Sequence, residues 1–590
     1  MAMLAANHPN DPIDVIMGDW MSEANMTSRA ALKTDTLAAQ GGLPADDKTP
    51  AIGADGPGAY EPTFLEALAP ALADIARYKI KVAVNAGASD TKLLHQVVTD
   101  MVQQRGLDLK VAYVSGDEVL PTVLQAQKEK RSAFENICTG ELLDDWKFEP
   151  IYAQAYLGGL GIARALEKGA AIVVCGRVSD ASPCIGAAVW WHNWGRDQLD
   201  ELANAFVAGH LIECSNYVTG GNFTGFKSLE WKGWHDLGYP IAEISSAGHA
   251  VITKNAGSGG EVSTQTCTSQ LLYEIQGPWY FNSDVTALLD GLSFEQIGTD
   301  RVALRGVRGA LPPETTKIGI TAKGGYQAEV HWFLTGLDIA DKARMMEAQA
   351  RHMLQPYSSA FTKLAFTLNG SAAEDARNQN AATVDFRIFA QAPREADLSP
   401  SKFLRPCIDP IMQGYPGATC HLDWRQGFPK PIYEYYVTLL PQSMVEHRVH
   451  FWDGSSEPIP PPPHSTVYPA QQPSQAAADE GVMAKMREGF GETVRGPLGW
   501  IVHARSGDKG SNANVGFWVR WRDEYDWLRS LLSVERIKGL LAEEYKAGKK
   551  VVSFCLDGEM GTGWKSDLFA AGPVRAAECL CRALFAARSS

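Results

Sequence analysis

Short apolar runs alternate with longer amphipathic ones through the first third of the chain. Residues 14–17, 80–84, 109–114 and 170–175 are compact apolar stretches, rich in Val, Ile and Ala, with the length of interior strands. Between them, 21–37, 64–77 and 93–104 carry apolar residues at helical spacing, as with Leu65, Leu68, Leu72 and Ile75. Strand and helix alternating at this interval predict right-handed βαβ units and a mostly parallel, Rossmann-like open sheet, so the fold class is α/β.

Each apolar run ends in polar residues. The first leads into Gly18-Asp19-Trp20, the second into Asn85 and the third into Ser115-Gly116-Asp117. The fourth leads into Gly176-Arg177-Val178-Ser179-Asp180, ahead of a helical run from Pro183. Ligands of open α/β sheets bind outside the carboxyl ends of the strands, so Asp19, Asn85, Asp117 and Arg177 are expected to face one crevice. A guanidinium can grip a carboxylate or phosphate in bidentate fashion, and a nearby carboxylate can serve as base. The spacing of Arg177 and Asp180 fits that use and fits a salt bridge with a helix cap equally well. Tyr156-Leu157-Gly158-Gly159-Leu160-Gly161 opens the helix 162–168, where backbone amides near Gly158 could meet an anion. The run is not G-x-G-x-x-G, and Gly257-Ser258-Gly259-Gly260 lacks the Lys-Ser/Thr pair of a P-loop.

Farther on, the helix 199–213 places His210, Glu213 and Cys214 on one face, a partial metal or thiol–imidazole arrangement without a third ligand at matching spacing. A partly buried helix end explains the same residues. Strands at 301–308, 316–321, 328–333, 365–368, 382–390 and 433–439 surround a helix at 339–354, which suggests a second α/β lobe. Residues 455–478 contain Pro460 to Pro463 and little periodicity, as a linker does. Beyond it, strands at 498–504, 515–521 and 551–556 with helices at 525–532, 534–547 and 574–586 make a small α+β domain. The expected division is therefore 1–340, 341–454, a connecting 455–490, and 491–590. Between two strands of the last part, the loop from Arg505 through Lys509 to Asn514 combines cations, small residues and amides, as an anion-binding nest or a tight polar turn would. A phosphate or CoA tail is a natural ligand for Arg505 and Lys509.

A chain of 590 residues is too long for a single core, and 45% hydrophobic with 21% charged residues is an ordinary globular balance. The net charge of −14 argues against a broad nucleic-acid surface. Ten cysteines without a C-x-x-C pair read as reduced thiols of a cytoplasmic protein, and no window suggests a signal peptide or membrane span. No organic cofactor motif is present, and no metal set is apparent.

The segments just named resemble the acyclic terpene utilisation (AtuA-like) family. Its features are matched by Gly18-Asp19-Trp20-Met21-Ser22-Glu23, Asn85-Ala86-Gly87-Ala88-Ser89-Asp90, Gly116-Asp117 and Ala155-Tyr156-Leu157-Gly158. They continue in Gly176-Arg177-Val178-Ser179-Asp180, His210 to Cys214, Thr219-Gly220-Gly221 and Leu272-Tyr273-Glu274. The Arg505 to Asn514 loop resembles the signature of the family's C-terminal, ferredoxin-like domain. The chain departs from the family in the place of a first strand and Gly-rich turn, where only about a dozen residues stand, so that strand is expected to be absent, whether by natural variation or by truncation.

The resemblance implies catabolism of branched, isoprenoid-like acids as CoA thioesters, without a settled reaction. The preferred expectation is a hydro-lyase, or another enzyme moving a proton beside a carbonyl, that acts on an acyl substrate in a homo-oligomer. Asp117 and Asp180 would be acid and base, Tyr156 a proton donor and Arg177 the group holding the carbonyl or carboxylate. Asn85 and the amides near Gly158 would stabilise an enolate-like oxyanion, with Asp19, Arg505 and Lys509 also on substrate. The alternatives are a non-catalytic partner that binds acyl-CoA beside a carboxylase, and a metal-assisted lyase using His210, Glu213 or Cys214.

Overall fold

The computed structural model describes residues 1–39, 58–275, 277–469, 492, 494–509, 512–532, 534–541 and 553–557. The helix expected at 574–586 and the stretch 470–490 of the connecting segment lie outside these residues.

The apolar runs form the expected sheet. Its order is Val15–Gly18, Lys81–Val84, Ile172–Cys175, Val111–Ser115, Arg448–His450, Ser456–Pro458. The first three junctions are parallel and the last two antiparallel. Alternate residues go to opposite faces. Val82, Val84, Ile172 and Val174 pack with Ile75, Leu94 and Val98, whereas Ala83, Ala112, Val114 and Val173 pack with Ile162, Leu166 and Val449. Both faces are covered, which is why these strands read as continuous apolar runs and not as alternating ones.

The strands at 448–450 and 456–458 were not expected: three residues each, and polar, they offer no pattern to recognise. They extend the main sheet into the region assigned to the linker. Pro150–Ala155 is likewise a strand ahead of Tyr156. The runs at 316–321 and 328–333 are one strand, Thr315–Thr335, continuous through Gly324-Gly325. No described helix is long and apolar enough to cross a membrane.

The chain divides into two compact units. The first comprises Met1–Trp146, Tyr152–Ile320 and Tyr435–Ser590, and the second Lys147–Ile151 and Thr321–Glu434. These bounds differ from the expected ones at 340 and 454, because they fall inside the strands Thr315–Thr335 and Lys430–Pro441 and no linker marks them. The second unit is an antiparallel sheet around Thr383–Ala392, whose Val384, Phe386 and Ile388 pack with Met346, Ala350 and Leu354 of the helix Ile339–Leu354. The C-terminal part groups with the first unit. There, His503–Lys509 and Asn512–Val519 pair antiparallel and Ser553–Asp557 adds in parallel, with helices Arg522–Leu531 and Val534–Leu541 between.

Candidate active site

Register decides which strand ends meet. Gly18 pairs with Val84, and Val84 with Val174, so Asp19, Asn85 and the Gly176-Arg177 turn leave the sheet at one level. Asn85 is fully buried and locks the first two loops together. Its Nδ2 donates to Asp19 Oδ1 at 2.5 Å, and its Oδ1 accepts from the Trp20 amide at 2.7 Å. The Met21 amide donates to Asp19 Oδ1 as well.

Arg177 is 1% exposed. Its Nη1 donates to the Met21 carbonyl at 3.0 Å and its Nη2 to Asp180 Oδ1 at 2.5 Å, while the guanidinium carbon lies 4.1 Å from the centre of the Tyr156 ring. Lys317 approaches the same ring at 3.9 Å. Burial opposes the charge on Arg177, but Tyr156, Asp180, Asp19 and Glu23 together hold its pKa well above the ordinary value. The Tyr156 hydroxyl is 2.9 Å from that of Tyr435, whose pKa burial drives well above its ordinary value.

Asp19, Asp180 and Glu213 each bring one carboxylate oxygen within 4.8 Å of the others. Glu213 is buried, just past the helix Leu199–Ile212, whereas Asp180 retains 19% exposure of its side chain. Burial and then Asp180 raise the pKa of Asp19 to about 6, and burial with Asp180 and Asp19 pushes Glu213 well above the usual carboxylate range. Three carboxylates at this spacing, beside one guanidinium, can share a proton; the same oxygens are the donors that could hold a cation.

A family model described as acyclic terpene utilisation family protein AtuA matches residues 1–451. The chain belongs to this family. No curated protein and no solved structure matches it. Membership ties the chain to acyclic terpene utilisation, and the matched range takes in every residue of the carboxylate group.

Other candidates of this AtuA-family chain stand elsewhere. Asp117 is buried beneath the Arg177 turn, where its Oδ2 accepts from the Arg177 amide and from Gln154 Nε2, both at 2.9 Å. A Cβ on Gly176 would stand 2.2 Å from that oxygen, which explains the glycine. Burial raises the pKa of Asp117. The helix start at Gly158 already holds an internal anion. Asp284 accepts from the Gly159 amide at 2.6 Å and occupies the space a Gly158 side chain would need.

His210 is buried against the Tyr280 hydroxyl and the carbonyls of Gln270 and Leu271. It does not share a helical face with Glu213 and Cys214, because the helix ends at Ile212 and Cys214 takes a φ of +53°. Arg505 is 4% exposed, its guanidinium packed against the rings of Tyr217 and Tyr273. Lys509 lies on the same hairpin strand, its side chain outside the described residues.

Proposed function

We propose that this AtuA-family chain is an enzyme that moves a proton beside a carbonyl, most simply by hydration or dehydration of a branched, isoprenoid-like acyl substrate carried as a CoA thioester. The observation that carries the reading is the carboxylate group of Asp19, Asp180 and Glu213 around the buried Arg177. Burial and mutual repulsion raise Asp19 and Glu213 even with one cation beside the group, so an acid and a base can stand side by side.

Asp180, partly exposed and with its geometry fixed by Arg177, is the base. Glu213 is the proton reservoir, and Asp19, oriented by Asn85, tunes both. The terminal nitrogens of Arg177 are taken by Met21 and Asp180, so its role is to orient Asp180 and hold positive charge. In this reading that role takes the place of the substrate clamp expected from the sequence. Tyr156 remains a proton donor, linked to Tyr435.

The test is incubation of the purified chain with a panel of branched enoyl-CoA thioesters and the corresponding free acids, read by mass spectrometry. Gain or loss of one water, abolished in Asp180→Asn, supports the reading. Binding without any mass change supports the acyl-CoA-binding alternative.

A further inference from the structure

Glu213 lies in the turn after its helix, and the C-terminal hairpin holds that turn. Arg505 packs its guanidinium against Tyr217, at 4.2 Å, and Tyr273, at 4.5 Å, two rings that meet edge to face, and its Nη1 donates to the Asn222 carbonyl at 3.3 Å. The Tyr273 hydroxyl accepts from the Cys214 thiol at 3.7 Å, next in sequence to Glu213.

Asn514 holds the second turn. Its Oδ1 accepts from the amides of Glu274 and Gly507, and its Nδ2 donates to the carbonyls of Leu272 and Ile275. The approach is tight enough that a Cβ on Gly516 would stand 2.7 Å from the Leu272 Cβ. Trp518 and His503 complete the seat, stacked on each other and on Phe223. Three non-glycine residues at this junction, Cys214, Ser215 and Glu274, hold φ values of +53°, +59° and +61°. Such conformations persist only where neighbours over-determine them.

We propose that the C-terminal hairpin is a working part of the carboxylate site. Arg505 and Asn514 clamp the 213–217 and 272–275 turns together and thereby keep Glu213 in register with Asp19 and Asp180. Arg505 is a positioning residue: its buried guanidinium packs on two tyrosine rings and holds the Asn222 carbonyl. The role assigned to Glu213 rests on the proton-transfer reading; the clamp itself does not.

The experiment uses the full chain and the variants Arg505→Ala, Arg505→Lys and Asn514→Ala. Alkylation of individual cysteines by iodoacetamide is followed by peptide mass spectrometry, with the buried Cys175 and Cys407 as references. Cys214 is expected to label at least about tenfold faster in the variants, with the references unchanged. Arg505→Lys keeps the charge and loses the planar stack, so it shows the same local rise and serves if Arg505→Ala labels at every cysteine through global unfolding. An unchanged Cys214 rate in Arg505→Lys and Asn514→Ala overturns the clamp.

With a substrate from the panel, the pH limb of kcat/KM is expected to move by about one unit in Arg505→Lys, and to stay in place in a Trp500→Ala control on the exposed surface. A faster Cys214 with an unmoved limb overturns the positioning of Glu213. If no panel member reacts with the parent chain, the proton-transfer reading fails while the alkylation rates still decide the clamp.

Discussion

Arg177 and Asp180 stand three positions apart and meet at 2.5 Å, one side chain 1% exposed and the other 19%. The arginine is sealed beneath the loops and the aspartate reaches the solvent side of the pair. Since Arg177 also holds the Met21 carbonyl, one guanidinium ties the loop after the first strand to the loop after Cys175. The carboxylate is thus held from below, with part of its side chain exposed.

Arg177→Ala strips Asp180, Asp19 and Glu23 of their shared cation and removes the stack on Tyr156. Breaking a buried pair by removing one partner costs about 3–5 kcal/mol, so a lower thermal midpoint and lost turnover are expected together. Asp180→Asn keeps an acceptor for Arg177 at a partly exposed position. It is expected to lose turnover with the midpoint nearly unchanged. Thermal melts of both variants beside the panel assay check the contrast; an Arg177→Ala protein as stable as the parent would show that the buried pair does not support the fold.

Asp19 gives a pH dependence of stability. Its pKa in the folded chain, about 6, lies above the ordinary 3.8, so the native state holds the proton more tightly than the unfolded one. Stability from this group is present below its ordinary value, falls as pH rises toward about 6, and does not return at higher pH. Asp19→Asn removes the ionisation and keeps an acceptor for the Met21 amide. The variant is expected to be more stable than the parent by about 1–3 kcal/mol near neutrality, with little difference near pH 4. Denaturant unfolding at the two pH values measures this, and equal stability differences at both would exclude the linkage.

Glu213 and Asp117 separate chemistry from scaffold. Glu213→Gln retains shape and removes the proton reservoir, so turnover is expected to drop about 10²–10⁴-fold, the usual range for a lost acid or base, with the fold intact. Asp117→Asn weakens the acceptor under the Arg177 amide and Gln154. Its thermal midpoint should fall first, and its activity loss should follow the loss of folded protein. Circular dichroism melts alongside turnover distinguish the two. An Asp117→Asn chain that is fully stable yet inactive would restore Asp117 to the catalytic group.

The sheet was legible because its strands are buried on both faces, and runs such as Ile172–Cys175 then carry no competing polar signal. That Asp19, Asn85 and Arg177 would share one edge followed from topology alone. Glu213 was visible as a candidate, but was grouped with His210 and Cys214 on the assumption that the helix continued. The helix stops at Ile212, and the left-handed turn at Cys214 separates Glu213 from that face, a backbone event with no glycine to announce it. Its pairing with residues more than 190 positions distant, as for Asp19, is a matter of packing that no local pattern encodes. The seat of Arg505 against two tyrosines was hidden for the same reason: a polar hairpin reads as an exposed nest until the aromatic residues Tyr217 and Tyr273 are brought against it.

The carboxylate group also sets an expectation for metal content. A divalent ion there would need oxygens from Asp19, Asp180 and Glu213. Asp180 Oδ1 is already taken by Arg177, and Asp19 Oδ1 by Asn85 and the Met21 amide. A buried guanidinium beside the group repels a cation, and small hard cations such as Mg²⁺ dehydrate reluctantly and demand near-octahedral oxygen geometry. A shared proton meets neither demand. The purified chain is therefore expected to carry less than one equivalent of metal by elemental analysis, and turnover is expected to survive a chelator unchanged. One equivalent of metal that disappears in Glu213→Gln, with turnover lost on chelation and restored by the ion, would replace the shared proton with a cation-assisted lyase built on the same three carboxylates.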